Sequence, residues 1–314
     1  LGYILHELTK SSITRADVLK KGTQLKLLIK LNNLTAVFKP MRYSRNYSVN
    51  GLPYEGYDRH NGEIASYHIS RILNMKRAPP VVGRLIDLRL EIIPVATRRL
   101  KKTFFVKNGT NTCFLGECLY CKTKSDAACG IGNFMEGAMV LWLPGNYTLE
   151  KFRHPWSRTY NINKKAKWEA QNNEVNYCNI IKDVPRYKTG PLLLDIIDTC
   201  LFDYIIGNAD RHHYERFYGD NNSMLILLDN AKSFGNPNFD EESILAPLLQ
   251  CKIIRKTTAE RLAILKQGTL TRILKAVLAS DPLAPILTNH HLVAVNRRLD
   301  NILFYLSVDE YKYV

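Results

Sequence analysis

No stretch of this 314-residue chain stays apolar for 18 residues, and the chain does not open on a basic segment followed by an apolar one. A membrane-crossing helix within these residues is therefore excluded. Any signal or anchor is expected to lie ahead of residue 1. The G-x4-G-K-[ST] string of P-loop nucleotide sites is missing, and so is the G-x-S-x-G elbow of serine hydrolases. No internal repeat or low-complexity tract occurs, which removes solenoids and arrays. Acidic residues are also in short supply, 29 against 44 basic ones, for a net charge of +15. Such a balance favours anionic partners: nucleotide phosphates, acidic glycans, nucleic acid or a membrane surface. The basic residues are spread along the chain, without a zinc-finger or RNA-recognition signature, so no nucleic-acid partner is expected.

What is present suits one large domain or two lobes around a cleft, and 46% hydrophobic content is ample for a core. The seven cysteines stand at 113, 118, 121, 129, 178, 200 and 251, the first four as C-x4-C-x2-C-x7-C. A zinc cluster would pair two C-x2-C knuckles or add close histidines, and only one knuckle exists. Disulfides are the better reading in an oxidising compartment. Five Asn-x-Ser/Thr sequons, at Asn33, Asn46, Asn108, Asn146 and Asn221, favour the secretory pathway.

Residues 24–31 alternate apolar and polar and predict a strand. Asn32-Asn33 is a turn signal, and Thr35–Lys39 reads as the return strand, ended by Pro40. The 41–58 stretch, rich in tyrosine and containing Arg42 and Arg45, reads as a loop over a ligand or as a plain surface loop. From Asn61 to Leu73 apolar positions follow helical spacing, with Glu63 in the first turn and Pro79-Pro80 beyond the end. Strand-like pieces follow at Val81–Leu88 and Glu91–Val95, and an apolar strand at Gly137–Leu143 stops at Pro144-Gly145, a natural linker between lobes. Helices are expected at Leu192–Ile206, around 258–279 and around 290–307. Strands and one helix first, then mainly helices, is an α+β, two-lobed pattern.

Two acids 19 residues apart carry the chemistry: Asp210 in N-A-D-R-H-H and Asp229 in L-L-D-N-A-K-S-F-G, separated by the apolar run Met224–Leu228. A loop carboxylate and one just past a strand are how protein kinases supply their base and their metal ligand, although the usual H-R-D and D-F-G spellings are absent. A structural turn or a metal-only site remains open for the same residues. Lys39 is suitably placed to meet phosphates, or is a solvated edge lysine. Glu63, 24 residues later, pairs with Lys39 or binds metal, or simply compensates the helix N-terminus. Glu215 stands five residues after Asp210, where ordinary kinases carry a metal-binding Asn. His212 and His213, without a third ligand nearby, read as loop-shaping residues rather than a zinc site.

The strings F-K-P-M-R, Y-D-R-H-N-G-E-I-A, G-N-A-D-R-H-H-Y-E and L-D-N-A-K-S-F-G together resemble the secretory-pathway kinase family of the Golgi casein kinase and the four-jointed proteins. The resemblance runs from about residue 20 to 305. Residues Tyr43 to Asn61 are most similar to the branch that phosphorylates xylose in glycosaminoglycan linkage regions. The resemblance implies an atypical two-lobed kinase fold. Its N-lobe would span 1–139 with a Cys-rich insert at 113–129, its hinge 140–143 and its C-lobe 144–314. It implies ATP as phosphate donor and manganese (magnesium as a possible substitute) as the metal. Lys39 and Gln24 would line the nucleotide site, with Val140, Leu141, Trp142 and Leu143 beside adenine. Glu63 and Asp229 would hold the metal, Asp210 would be the base, and Glu215 would contact the nucleotide. The implied disulfides are Cys113–Cys129, Cys118–Cys121 and Cys178–Cys251, leaving Cys200 as a free thiol. Lys252 in place of a second adjacent cysteine, with no cysteine after it, again favours the glycan-kinase branch.

The expected reaction is phosphorylation of the xylose 2-hydroxyl in the Gal-Xyl linkage glycan of proteoglycan core proteins, in the Golgi lumen, by a protein anchored as a type II membrane protein. A Ser/Thr kinase of the same family and an inactive activator of a related kinase are the alternatives. Tyr43, Arg45 and Tyr54 are the candidate sugar contacts, since aromatic faces and guanidinium groups suit sugar rings and a uronate.

Overall fold

The computed structural model describes residues 1–20, 22–161, 163–169, 176–220 and 222–314. The candidate glycosylation site Asn221 lies outside the described residues. The other four sequon asparagines, Asn33, Asn46, Asn108 and Asn146, are exposed.

The first part of the chain builds one antiparallel five-stranded sheet, in the spatial order Ile13–Val18, Leu27–Leu31, Thr35–Pro40, Phe134–Leu141 and Val81–Asp87. The alternation seen at 24–31 is realised from residue 27 onward, with Leu27, Ile29 and Leu31 buried and Lys30 exposed. These side chains join Phe38, Ile86 and Met139 in one hydrophobic core. The first strand, and the helix Gly2–Lys10 before it, show no comparable pattern in sequence. They are held by what they pack on, through Leu8, Ile13 and Ala16.

A second, larger core surrounds the helix Leu192–Ile206, whose predicted limits match those observed. This helix is buried on every side. Its acids are therefore met by arginines: Asp195 and Asp198 by Arg77 and Arg255, Asp203 by Arg211. The helix His60–Ile72 packs Ile64, Ala65, Tyr67 and Ile69 into this second core. The same helix packs against the sheet, sharing this core with Val81 and Ala138, which brings Glu63 into direct contact with Lys39.

Two local readings of the sequence need correction. Glu91–Val95 is not a strand: Leu88–Ile92 forms a short wide helical turn capped by the Asp87 carboxylate, which accepts the Arg89 and Leu90 amides. Arg84 pins Glu91 at 2.8 Å, a contact invisible to period counting. The single helix expected around 258–279 is two, Lys256–Ile264 and Thr269–Leu278. The break falls where Gln267 and Gly268 both adopt positive φ.

Three disulfides form. Cys113 and Cys129 are directly opposed on neighbouring strands, Cys118 and Cys121 close a tight loop, and Cys178–Cys251 ties two helices of the second core. Cys200 is a buried free thiol, its pKa pushed up by desolvation. The 178–251 bridge spans 73 residues, a closure worth about 4 kcal/mol through restriction of the unfolded chain. The double variant C178S/C251S is expected to lose roughly 3–4 kcal/mol of unfolding free energy in denaturant titration, with the Cys113–Cys129 and Cys118–Cys121 bridges intact by mass spectrometry.

Candidate active site

Lys39 sits on the strand Thr35–Pro40, opposite Ala138, and points into the cleft rather than to solvent. Only 5% of it is exposed, so the solvated-edge reading does not hold. Its ammonium donates to Glu63 Oε1 at 2.6 Å and Asp229 Oδ1 at 2.5 Å, and Asp58 Oδ2 stands 3.4 Å away. Burial alone would push this lysine down; the three carboxylates overcome it and hold its pKa well above the usual value. In return Lys39 holds the Asp229 carboxyl well below the ordinary carboxylate range, against some desolvation. Asp229 itself is open to the cleft, with 68% of its side chain exposed.

The position of each acid follows from its element. Glu63 lies in the first turn of the helix His60–Ile72, and its Oε1 also accepts the Asn230 amide at 3.0 Å. That contact requires the loop after Asp229 to approach the helix closely. Gly62 permits it, since a Cβ there would stand 2.6 Å from Ser233 Oγ and 3.4 Å from the Asn230 carbonyl. Asp229 follows the short strand Leu225–Ile226 and has φ +56°, a strained left-handed conformation for a non-glycine residue. Asp210 is delivered from the other side. The helix Leu192–Ile206 ends at Gly207 in the left-handed conformation, and Asn208 Oδ1 then accepts the Asp210 amide. Glu215 lies on the next strand, His213–Phe217, opposite Lys151 and Ile226, and burial raises its pKa.

A cavity of 120 Å³ brings Gln24, Asp210, Glu215 and Asp229 together, with Lys26 and Lys232 on its walls. Val140 to Leu143 do not line it. They occupy the end and exit of the strand Phe134–Leu141, where Leu141 and Trp142 amides donate to Pro80 and Thr35 carbonyls. A larger adjoining cavity of 660 Å³ shares Gln24, Asp210 and Lys232 and is walled by Tyr43, Tyr54, Tyr57, Tyr120 and Tyr160. Tyr43 and Tyr54 thus sit beside the acid predicted to act on the acceptor. Arg45 does not. It is turned away to Glu136, at 2.8 Å, and to the Leu283 carbonyl, and the Glu136 carboxylate takes up its charge. Arg45 is not among the residues lining this cavity, and its contacts join the loop to the sheet at Glu136 and to the Leu283 carbonyl.

Several residues escaped sequence reasoning. Asp58, five residues before Glu63, is the third carboxylate on Lys39, and its only signal was the Y-D-R-H-N string itself. Arg211, read as part of a loop, is a buried strut. It grips Asp203 through two nitrogens at 2.9 and 2.8 Å, and Asn230 Oδ1 at 2.7 Å, and also donates to the Leu228 carbonyl. Lys26, depressed by burial and by Lys39, and Tyr160 had no signal at all.

The donor set fits a hard divalent cation. Glu63 and Asp229 each present a carboxylate oxygen to the Lys39 ammonium, at 2.6 and 2.5 Å, so positive charge is already held between them. Among the described residues, no three His, Cys, Asp or Glu side chains group closely enough to form a complete cage. A pair of carboxylates such as Glu63 and Asp229 suits a Mg2+- or Mn2+-type ion, which draws its remaining ligands from water and substrate phosphates.

A lysine on a sheet strand paired to a helix glutamate, an aspartate just past a strand and a second aspartate on the loop before it define a protein-kinase-like phosphotransferase fold. The chain belongs to the Fam20 family: the family model described as Golgi casein kinase, C-terminal, Fam20 matches residues 1–308. It is 55% identical over 305 residues to the human glycosaminoglycan xylosylkinase, covering 96% of this chain and 73% of that protein. Among solved structures it is similar to hydra Fam20 with sugar, at TM-score 0.93 and 48% identity over 97% of this chain and 87% of that one. The Golgi casein kinase with Mn/ADP bound matches at TM-score 0.93 and 35% identity, over 99% and 78% of the two chains.

The Lys39 cluster gives a pH prediction. Asp229 is depressed, so its share of stability is complete above the unfolded carboxylate pKa and disappears as pH falls through the folded value. Lys39 is raised, so its share is complete below the unfolded lysine pKa and disappears as pH rises through the folded one. In Lys39→Met the three carboxylates are left without their cation, so the stability difference from wild type is expected to be largest near neutral pH, to shrink as the pH falls and those carboxyls protonate, and to shrink again above about pH 10. Urea titrations across that range measure it. A difference that stays constant from neutral pH down to about pH 3 contradicts the assignment.

Proposed function

We propose that this protein is an ATP-dependent glycan kinase that phosphorylates the 2-hydroxyl of xylose in the Gal-Xyl portion of the proteoglycan linkage region. The observation that carries the reading is the Lys39–Glu63–Asp229 cluster, whose Asp229 shares one cavity with Asp210. The similarity to a named xylosylkinase supports this acceptor. In this reading residues 1–139 form the N-lobe, 140–143 the hinge beside adenine and 144–314 the C-lobe.

Lys39, Lys26 and Gln24 would face the phosphates of ATP, and Glu215 the nucleotide. Glu63 and Asp229 would hold the manganese ion, which when bound offsets charge on the phosphate oxygens. Asp210 would accept the proton of the xylose hydroxyl as its oxygen bonds to the γ-phosphorus and the bond to ADP breaks. Little covalent chemistry falls to the protein, so rate acceleration comes from positioning and electrostatics. The aromatic walls of the 660 Å³ cavity suit the faces of a disaccharide. Three disulfides and four exposed sequons support work in the secretory pathway, and we assign the Golgi lumen, with an anchor outside these residues.

Asp210→Ala and Asp229→Ala are each expected to lower transfer by roughly a thousandfold or more, with the melting temperature close to wild type for Asp210→Ala and lowered for Asp229→Ala, which leaves the buried Lys39 one carboxylate short. Radiolabelled ATP offered with a Gal-Xyl disaccharide or with casein discriminates the acceptors. Labelled disaccharide and unlabelled casein are expected. Label on casein alone would make this a protein kinase, and no turnover with manganese present would make it an activator without catalysis.

A further inference from the structure

The wall of the larger cavity touches the predicted base directly. The Tyr160 hydroxyl donates to Asp210 Oδ1, and His212 Nδ1 lies 3.0 Å from the same hydroxyl and 2.8 Å from the Asp210 carbonyl oxygen. These contacts fix the direction of every proton. A backbone carbonyl only accepts, so Nδ1 of His212 carries hydrogen and donates. The carboxylate only accepts, so the single phenolic hydrogen goes to Asp210, and the phenolic oxygen is left as a second acceptor of the one Nδ1 hydrogen, shared with the Asp210 carbonyl. The order is His212 N–H to Tyr160 O–H to Asp210, with no free choice of tautomer.

The surroundings keep it that way. Burial, with Asp210 beside it, raises the phenol far above its usual pKa, so it remains a donor. The Asp210 contact raises His212, which likewise favours the hydrogen-bearing form. The Tyr160 ring meets Tyr54 edge-on at 4.7 Å between centroids, and both rings face the cavity in which the acceptor would sit. One oxygen of Asp210 is thus committed to the protein, and only Oδ2 is left to face a substrate hydroxyl.

We propose that Tyr160, oriented by His212, is a positioning residue that locks the Asp210 carboxylate in one rotamer and presents Oδ2 alone to the acceptor hydroxyl. Tyr160 does not take the proton itself. It reduces the base to one usable oxygen at one angle, and the contact with Tyr54 ties that angle to the wall of the acceptor pocket. The inference rests on Asp210 being the base.

The test is steady-state kinetics with Gal-Xyl disaccharide and ATP on the purified chain. Tyr160→Phe keeps the ring and its Tyr54 contact but removes the donor. It is expected to lower kcat roughly ten- to hundredfold, with KM for disaccharide and ATP within about twofold and the melting temperature unchanged. His212→Ala should lower kcat less. Adding it to Tyr160→Phe should cost little more, because both act through one chain of hydrogen bonds. His212→Asn, which retains a donor near the Nδ1 position, should restore most of the His212→Ala loss. Wild-type kcat in Tyr160→Phe, or a rise in disaccharide KM at unchanged kcat, overturns the inference, the latter marking Tyr160 as a mere sugar contact. Asp210→Asn is run in parallel. If it turns over normally, the base assignment falls and takes this inference with it; if it is inactive while Tyr160→Phe is unaffected, only the positioning role falls.

Discussion

A buried ammonium surrounded by three carboxylates is the constraint on which this fold depends. Lys39 is out of water, so without Glu63, Asp229 and Asp58 its charge would cost several kcal/mol. Those three acids arrive from different elements: the end of the tyrosine-rich loop, the first turn of a helix and the residue past a strand. Neutralising one lysine thereby fixes the sheet, the helix His60–Ile72 and the segment after Leu228 relative to one another. The same arrangement leaves Asp229 open to the cleft and ionised, ready for a cation.

On the opposite side Arg211 does for the catalytic loop what Lys39 does for the cleft. Its guanidinium joins Asp203 on the central helix, the Leu228 carbonyl before Asp229, and Asn230 after it. A planar fork with five donors suits this better than an ammonium, because three differently oriented acceptors must be met at once. Since Arg211 follows Asp210 directly, anchoring the arginine also orients the acid beside it. Asp210 and Asp229 are therefore coupled through backbone and guanidinium, without touching.

How much of this could be read beforehand differs by element, and the differences have physical causes. The helix Leu192–Ile206 was legible to the residue because a long apolar segment ending in Gly has few alternatives. The break at Gln267-Gly268 was not, since the apolar spacing continues across it. Lys39 looked like an edge lysine because an alternating strand says which face is apolar, not what lies opposite that face. Arg45 looked like a sugar ligand because it stands among tyrosines, yet Glu136, 91 residues away, claims it. Tyr160 gave no signal. A lone tyrosine in a polar stretch acquires meaning only when it meets Asp210.

By itself, then, the sequence determined the hairpin around residues 27–40, the helices at 60–72 and 192–206, the two acidic strings and the family they belong to. Local period, caps and rare motifs are properties of neighbouring residues, and neighbours are what a sequence records. Tertiary structure alone decided which charge answers which: that Lys39 is buried, that Asp58 joins it, that Arg45 faces away and that Tyr160 holds one oxygen of Asp210. Those outcomes depend on contacts between residues 19 to 190 positions apart. Their energies come from desolvation in a shared cleft, which exists only once the chain has folded.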